Sequence, residues 1–419
     1  MLTIPSNLVV RRARDADLPE MARVHQASYP GGEMTLQETV ERFRSNPRLS
    51  LEDYWVCEKG NRIAGLFALY DFQMYRSGMM IPAGGIGTVA VAPEARRERI
   101  AYWMMARAVE IMDQNSIPLS LLYPFRHSFY ENLGWGLIGC VKLYKFAPES
   151  LPKLAGRENV VPILTSDEQE TVMNCYNQYA QRQNGTVRRG DPFWNEVVFK
   201  NAMCYAYEAP DSGSIEGYVT YRYKPYPNME AFLSADIEVW DFVWNSKRAL
   251  HGLLAFLGSQ RDQVRTVIFP DQTGIPLEHI LREPLMPDGK RNYLLGAETA
   301  HLGSNLMGRV VQIRRALTMM GKIGEVSGEF NLVLTDDLNQ SNTEPITITI
   351  ESGKIGFKKQ NNAPISLSTN ISTFSSLYWG SLNLKDAVIL GKVELEGKGD
   401  AGFIKSFFDV SRPICLDHF

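Results

Sequence analysis

Residues 89–105 carry the first candidate chemistry. Val89, Ala90 and Val91 end an apolar stretch, Pro93 breaks it, and Arg96, Arg97 and Arg99 form a basic loop before a helix that Ile100 and Ala101 open. Backbone N–H groups at a helix N-terminus lack intrahelical partners and bind anions, helped by the helix dipole. Guanidinium groups beside them add charge whose geometry suits phosphate. The order strand, proline, basic loop, helix therefore fits a pyrophosphate such as that of coenzyme A. Val89 and Val91 would then offer backbone groups to its pantetheine arm. A second cluster follows, from Tyr123 through Phe125, His127, Phe129 and Tyr130 to Leu133-Gly134-Trp135-Gly136. It holds a hydroxyl and an imidazole, either of which can move a proton.

These residues need a scaffold of strands and helices. Val9-Val10-Arg11 reads as a short strand, and Leu18-Pro19-Glu20 opens a helix that Asp15 or Asp17 can cap. Tyr54 to Cys57 and Ile63 to Leu69 read as a hairpin around Lys59-Gly60-Asn61. Gly84-Gly85-Ile86-Gly87 precedes a strand from Thr88 to Val91. Ile100, Trp103, Met104, Ala108, Ile111 and Met112 mark one face of a helix, and Leu119 to Leu122 a further strand. Residues 147–160 turn polar, which predicts a boundary. The pattern then repeats: a helix from Thr165 to about Gln183, a hairpin over Cys204–Tyr223, a strand over Ile237–Val243, and a helix from Ser246 to about Leu257. Two strand–loop–helix units in one chain suggest a duplicated fold. From about 302 the alternating segments around Phe330, Ile348 and Leu367 predict an antiparallel α+β unit, with Leu377–Leu382 as a short helix or turn and Ala387–Leu395 as another strand.

Composition bounds the answer without deciding it. The chain has 419 residues, 44% hydrophobic and 22% charged, with a net charge of −3. That predicts two to four ordinary globular domains. No basic excess points to nucleic acid. Five cysteines without CxxC spacing argue for neither a disulfide framework nor a zinc site. The first residues lack a signal-peptide pattern and no apolar run is long enough to span a membrane, so a cytoplasmic location is expected.

The basic loop resembles the GNAT acetyltransferase signature Arg/Gln-x-x-Gly-x-Gly/Ala. Arg96 and Ala101 match it, whereas Arg99 stands where glycine is expected. Glycine lets the backbone approach phosphate closely, so Arg99 either weakens that approach or meets phosphate with its side chain. The resemblance makes Tyr130, four residues before Gly134, the general acid that protonates the departing thiolate; by residue type alone it is equally a packing aromatic. The order of motifs along the whole chain, with Cys175-Tyr176-Asn177, Asn184-Gly185, Arg189, Phe193-Trp194 and a terminal Phe419, resembles the enhanced-intracellular-survival (Eis) acetyltransferases.

That resemblance implies a catalytic GNAT domain (1–147), a GNAT-like domain lacking the CoA motif (148–301) and a sterol-carrier-protein-like α+β domain (302–419). It implies acetyl-CoA as co-substrate and a primary amine as acceptor. The amine would belong to a cationic small molecule, aminoglycoside-like or a polyamine, or to a lysine side chain. It also implies a homo-oligomer, hexameric by preference, and makes the Phe419 carboxylate the proposed base. A terminal carboxyl has a pKa of about 3.5 and an alkylamine one of about 10.4, so direct proton transfer is uphill by roughly 9 kcal/mol. Orientation of the amine, or transfer through water, is the easier role for it. His127 and His418 are rival bases. A competing reading is a non-catalytic CoA- or lipid-binding protein, and a third is an enzyme that uses a longer acyl-CoA.

Overall fold

The computed structural model describes residues 4–225, 235–271, 273–294, 296–321, 323–359, 362–398, 401–415, 417 and 419. His418 lies outside the described residues. The first part of the chain runs β1 (Leu8–Arg12), α1 (Leu18–Ser28), α2 (Leu36–Arg44), β2 (Tyr54–Lys59), β3 (Arg62–Arg76), β4 (Met79–Val91), α3 (Ile100–Gln114), β5 (Leu119–Leu122), α4 (His127–Glu131) and β6 (Gly136–Leu137). The second runs β7 (Val141–Phe146), β8 (Val160–Pro162), α5 (Ser166–Arg182), α6 (Asp191–Phe193), β9 (Met203–Glu208), β10 (Ile215–Pro225), β11 (Ala235–Trp244), α7 (Lys247–Gly258) and β12 (Val264–Asp271). Three short strands, β13 (Arg291–Asn292), β14 (Gly296–Ala297) and β15 (Ala300–Gly303), close it. The last part holds β16 (Met307–Val310), α8 (Ile313–Thr318), β17 (Gly328–Thr335), β18 (Ile346–Glu351), β19 (Lys354–Lys358), β20 (Ile365–Asn370), α9 (Ile371–Trp379), α10 (Leu384–Ile389), β21 (Glu394–Gly397) and α11 (Gly402–Phe407).

Two seven-stranded mixed sheets share one topology. The first has the order β1-β2-β3-β4-β5-β16-β6, and the second, read from its other edge, β8-β9-β10-β11-β12-β7-β15. In both, the fourth and fifth strands are parallel and the neighbours on either side antiparallel. The sixth strand of each sheet comes from elsewhere in the chain. β16 follows the second sheet in sequence but sits in the first, between β5 and β6; β7 precedes the second sheet and pairs in it with β12 and β15. β16 thus crosses from the last part of the chain into the first sheet. The third sheet, β19-β18-β17-β20-β21, packs with its helices as an α+β unit. Its helix α9 is buried along its whole length, with its serine hydroxyls hydrogen-bonded, and touches both β16 and β20, so it joins the third unit to the first.

Local chemistry explains most elements. Thr35 and Glu38 form a reciprocal capping box that starts α2, and Thr165 and Glu168 do the same for α5. The glycines of residues 84–87 are not a lead-in to β4 but its middle, because β4 runs unbroken from Met79. A side chain on Gly84 would collide with Met112, and one on Gly85 with Phe72. Close packing on both faces of the sheet, not a turn, selects glycine there. The expectation of a strand over Ala387–Leu395 is corrected: residues 384–389 are helical, started by the Asn383 cap, and only 394–397 are extended.

Candidate active site

The site forms where β4 and β5 part. Their parallel pairing runs from Ala83↔Leu119 to Ile86↔Leu122 and stops, while β4 continues to Val91. A bulge against β3 follows, and Thr88 takes a left-handed φ of 55° within it. The edge of β4 that β5 has left meets the C-terminal end of α1. The Tyr29 hydroxyl donates to the Val89 carbonyl at 3.1 Å and the Ser28 hydroxyl to that of Val91 at 3.2 Å. Ala90 is buried and pairs with Leu66 on the other side.

The basic loop lies just beyond. Arg96, Arg97 and Arg99 are exposed, and the Arg96 guanidinium donates to the Ala27 carbonyl at 3.0 Å. Arg99 stands at the N-cap of α3 with φ 62°, the left-handed conformation that glycine adopts freely. Arginine thus holds the glycine conformation itself, at a cost of about 1–2 kcal/mol. Its guanidinium lies 4.3 Å over the Tyr102 ring. Ile100 is buried in the core and Ala101 half-buried, which fixes the helix start.

Tyr130 stands on α4, where it is 2% exposed. Its ring meets Phe125, Phe129 and Trp135 at centroid distances of 5.5, 5.0 and 6.3 Å. Burial, and then the neighbouring Tyr29, push its phenol above the ordinary range, so it stays protonated. The Leu-Gly-Trp-Gly segment after it has a structural cause. Gly134 has φ 93°, and a Cβ there would collide with the Arg309 guanidinium. Arg309 is fully buried, donating to the Leu133 carbonyl at 2.7 Å and to both Asp336 oxygens.

The far end of the chain returns to this place. The Phe419 ring packs against Tyr70, Phe72 and Tyr123 at 5.5, 4.9 and 5.2 Å. Its carboxyl carbon lies 3.8 Å from where a Cβ on Gly87 would stand. Phe419 lines a cavity of about 540 Å³ together with His25, Tyr29, Arg42, Tyr70 and Thr88. Tyr29 lines this cavity and bonds to Val89, and it adds to the upward push on the Tyr130 phenol. His25 in the same wall is lowered to about 4, first by burial and then by Arg42, and is neutral at pH 7.

Asp417 pins the returning tail. Its carboxylate accepts from the Arg189 Nε at 2.6 Å and from the Tyr176 hydroxyl at 3.3 Å, and its carbonyl accepts from the Tyr123 hydroxyl at 2.6 Å. Arg189 also donates to Asp241 at 2.6 Å and stacks 3.8 Å over Tyr176. His127 is exposed and lines a different cavity of about 760 Å³, between the three units. The structure therefore gathers Val89, Tyr130 and Phe419 around Tyr29, places the arginine loop at the next helix start, and leaves His127 facing another space. Tyr29, His25 and Arg42 were not singled out from sequence. A tyrosine closing a helix before Pro30-Gly31-Gly32 was the available signal.

A splayed parallel pair, a basic helix start and a buried tyrosine are the parts that transfer from an acyl-CoA would require. Comparison with known proteins gives the same class. Residues 9–138 and 185–301 match models of the acetyltransferase (GNAT) domain, and residues 313–416 match the sterol carrier protein domain. The chain thus carries two GNAT-type acetyltransferase domains followed by a sterol-carrier-like domain. Within that class it resembles the Eis N-acetyltransferases. It is 22% identical over 288 residues to N-acetyltransferase Eis of Mycobacterium tuberculosis, an alignment covering 66% of each chain. It thus spans just under two thirds of the length of the curated relatives it matches. Two solved structures share the whole fold. A GCN5-related N-acetyltransferase from Anabaena variabilis has a TM-score of 0.82 at 19% identity, covering 98% of this chain and 100% of that one. Eis1 from Mycobacterium abscessus has 0.77 at 17% identity, with the same coverage.

Proposed function

We propose that this protein transfers an acetyl group from acetyl-CoA to a primary amine by direct attack in a ternary complex. The observation that carries the reading is the meeting of Tyr130, Tyr29 and the Phe419 carboxyl group at the end of β4 that β5 leaves open. Pantetheine lies along Val89, Ala90 and Val91. The pyrophosphate sits at the start of α3, among Arg96, Arg97, Arg99, Ile100 and Ala101. An ammonium entering the cavity loses one proton, and its nitrogen attacks the thioester carbon. The N–C bond forms, the C–S bond breaks, and the sulfur leaves with a proton from the Tyr130 hydroxyl; the proton that the acylated nitrogen sheds returns to Tyr130 through water. The overall balance is acetyl-CoA and R–NH3⁺ giving the N-acetyl amine, CoA–SH and one released proton.

Burial raises the Tyr130 phenol, which makes a full proton transfer to a free thiolate uphill. The same desolvation raises the thiol beside it, so the two move together and a strong hydrogen bond to the developing charge results. In this chain the Phe419 carboxylate orients the ammonium and relays its proton through water. The second GNAT domain serves as wall and interface, not as a CoA site. At the start of α7 the Ser246 hydroxyl accepts from the Ala249 N–H, and Arg248 is held by Glu216 and Asp211. An anion arriving there meets two carboxylates and a helix end already capped.

The acceptors that the resemblance implies, aminoglycoside-like compounds, polyamines and lysine side chains, all offer a primary amine. A domain division near 147 and 301, a closed homo-oligomer, hexameric by preference, and a cytoplasmic location belong to the same proposal. No helix among the described residues is long and apolar enough to cross a membrane. A thermal-shift series of acyl-CoAs followed by thiol-release assays with a panel of amines tests the reading. Stabilisation by acetyl-CoA together with amine-dependent thiol release is expected. Stabilisation without any thiol release would favour the non-catalytic binding protein, and a preference for longer chains would exclude acetyl-CoA as the donor.

A further inference from the structure

We infer that the acceptor is a zwitterion, an amine that also carries an anionic group such as a carboxylate, and not a polycation. The inference rests on the reading above that the cavity beside Phe419 receives the acceptor. The charge lining that cavity decides the matter. Arg42 and Arg48 both face it, and none of its lining side chains is an aspartate or glutamate. Of the acids nearest in sequence to the lining residues, Glu38 caps α2 through Thr35 and Glu41 pairs with Arg44, while Glu33 and Asp71 are exposed and are not among the lining side chains. Among the described residues Arg42 has no carboxylate partner, its recorded contact being the Met34 sulfur at 3.8 Å. Arg48 is half-buried and held in place over Tyr70 at 5.5 Å and Phe193 at 5.7 Å.

A guanidinium has five donors and no acceptor, and its fork matches a carboxylate. Two of them in a cavity without acidic side chains repel the second and third charges of a polyamine or an aminoglycoside. They attract a substrate anion instead, while the Phe419 carboxylate in the same wall attracts the ammonium. The positive field is already felt by the cavity's own groups: Arg42 contributes to holding His25 neutral. It acts likewise on a bound ammonium, because nearby cations lower its pKa and ease the proton loss that attack requires. One pair of arginines thus selects the acceptor and prepares it.

Matched amines with and without a carboxylate test this: tyrosine against tyramine, histidine against histamine, lysine against cadaverine, with spermidine as the polycation. Thiol release from acetyl-CoA gives kcat/KM for each. The carboxylate-bearing member of at least one pair is expected to exceed its twin about tenfold or more, the worth of one charge-assisted hydrogen bond. Arg42→Gln should cut that ratio by a similar factor without changing the Kd for CoA. Preference for spermidine or for the decarboxylated twins would overturn the inference. So would an Arg42→Gln protein that loses CoA affinity and keeps the ratio, since Arg42 would then serve the cofactor. Thiol release with none of the seven amines would bring down the transfer reading itself, a pattern distinct from a reversed preference.

Discussion

His25 shows how a single side chain reports its surroundings. It lies against Tyr29 and Phe43, with ring centroids at 4.7 and 5.5 Å, and burial and Arg42 lower it to about 4 from an ordinary 6.5. A depressed histidine contributes stability that is fully present above 6.5 and is lost as pH falls through about 4. Wild-type protein should therefore lose roughly 1–2 kcal/mol from this group over that window, after discounting for solvent screening. His25→Gln should flatten that part of the profile, read from urea midpoints at pH 7.5, 5.5 and 4. An unchanged slope would mean that His25 titrates normally. At this scale the sequence was informative where offset carries meaning. Tyr130 was singled out from its distance to Gly134, and the arginine loop from the proline before it. Tyr29 was not found, because its role depends on the end of α1 meeting the open edge of β4, a contact 60 residues away in sequence.

At the level of elements, the hydrophobic periods located most strands and helices, including α3, β5, α5 and α7, to within a few residues. What they missed has physical causes. Helix α2 has nine residues, too few for its period to stand out, and its capping box at Thr35 and Glu38 was the readable sign. Glycines 84–87 look like a turn in sequence and are a strand packed tightly on both faces. The crossing of β16 into the first sheet, and the pairing of β7 with β12, leave no local signal, since pairing partners lie far apart along the chain. Gly134 belongs to this scale too, because it ends the turn after α4 and makes room for Arg309. Gly134→Ala meets both a positive φ and the buried guanidinium, which is tied to Asp336. We expect a loss of about 3 kcal/mol or more in urea unfolding, as for a disturbed buried ion pair. A loss below 1 kcal/mol would show that Arg309 yields without cost.

Across the whole molecule, three units meet at Phe419. Phe419 packs on strands β3 and β4 of the first sheet, and Asp417 holds the tail to Arg189 and Asp241 of the second half. Asn184 ties Ser411 and the end of α9 to the same region. Sequence order suggested which residues belong together but could not place the two ends of the chain at one site; only the packed arrangement does so. Three glycines added after Phe419 should move the carboxylate while leaving the Asp417 anchor intact. Turnover should then fall at least tenfold with the thermal midpoint unchanged, because a 1 Å misplacement alone can cost a hundredfold. Full turnover would remove Phe419 from the chemistry and leave Tyr130 untouched.

The central claim is that an acyl group leaves CoA beside Tyr130. Its most direct test is thiol release by Tyr130→Phe at saturating acetyl-CoA and amine, with the Kd for acetyl-CoA measured on the same preparation. The substitution removes one oxygen and keeps the ring among Phe125, Phe129 and Trp135. The account predicts a kcat lower by about 10²–10⁴ with that Kd changed less than about threefold. A Tyr130→Phe protein that turns over as fast as wild type would contradict it.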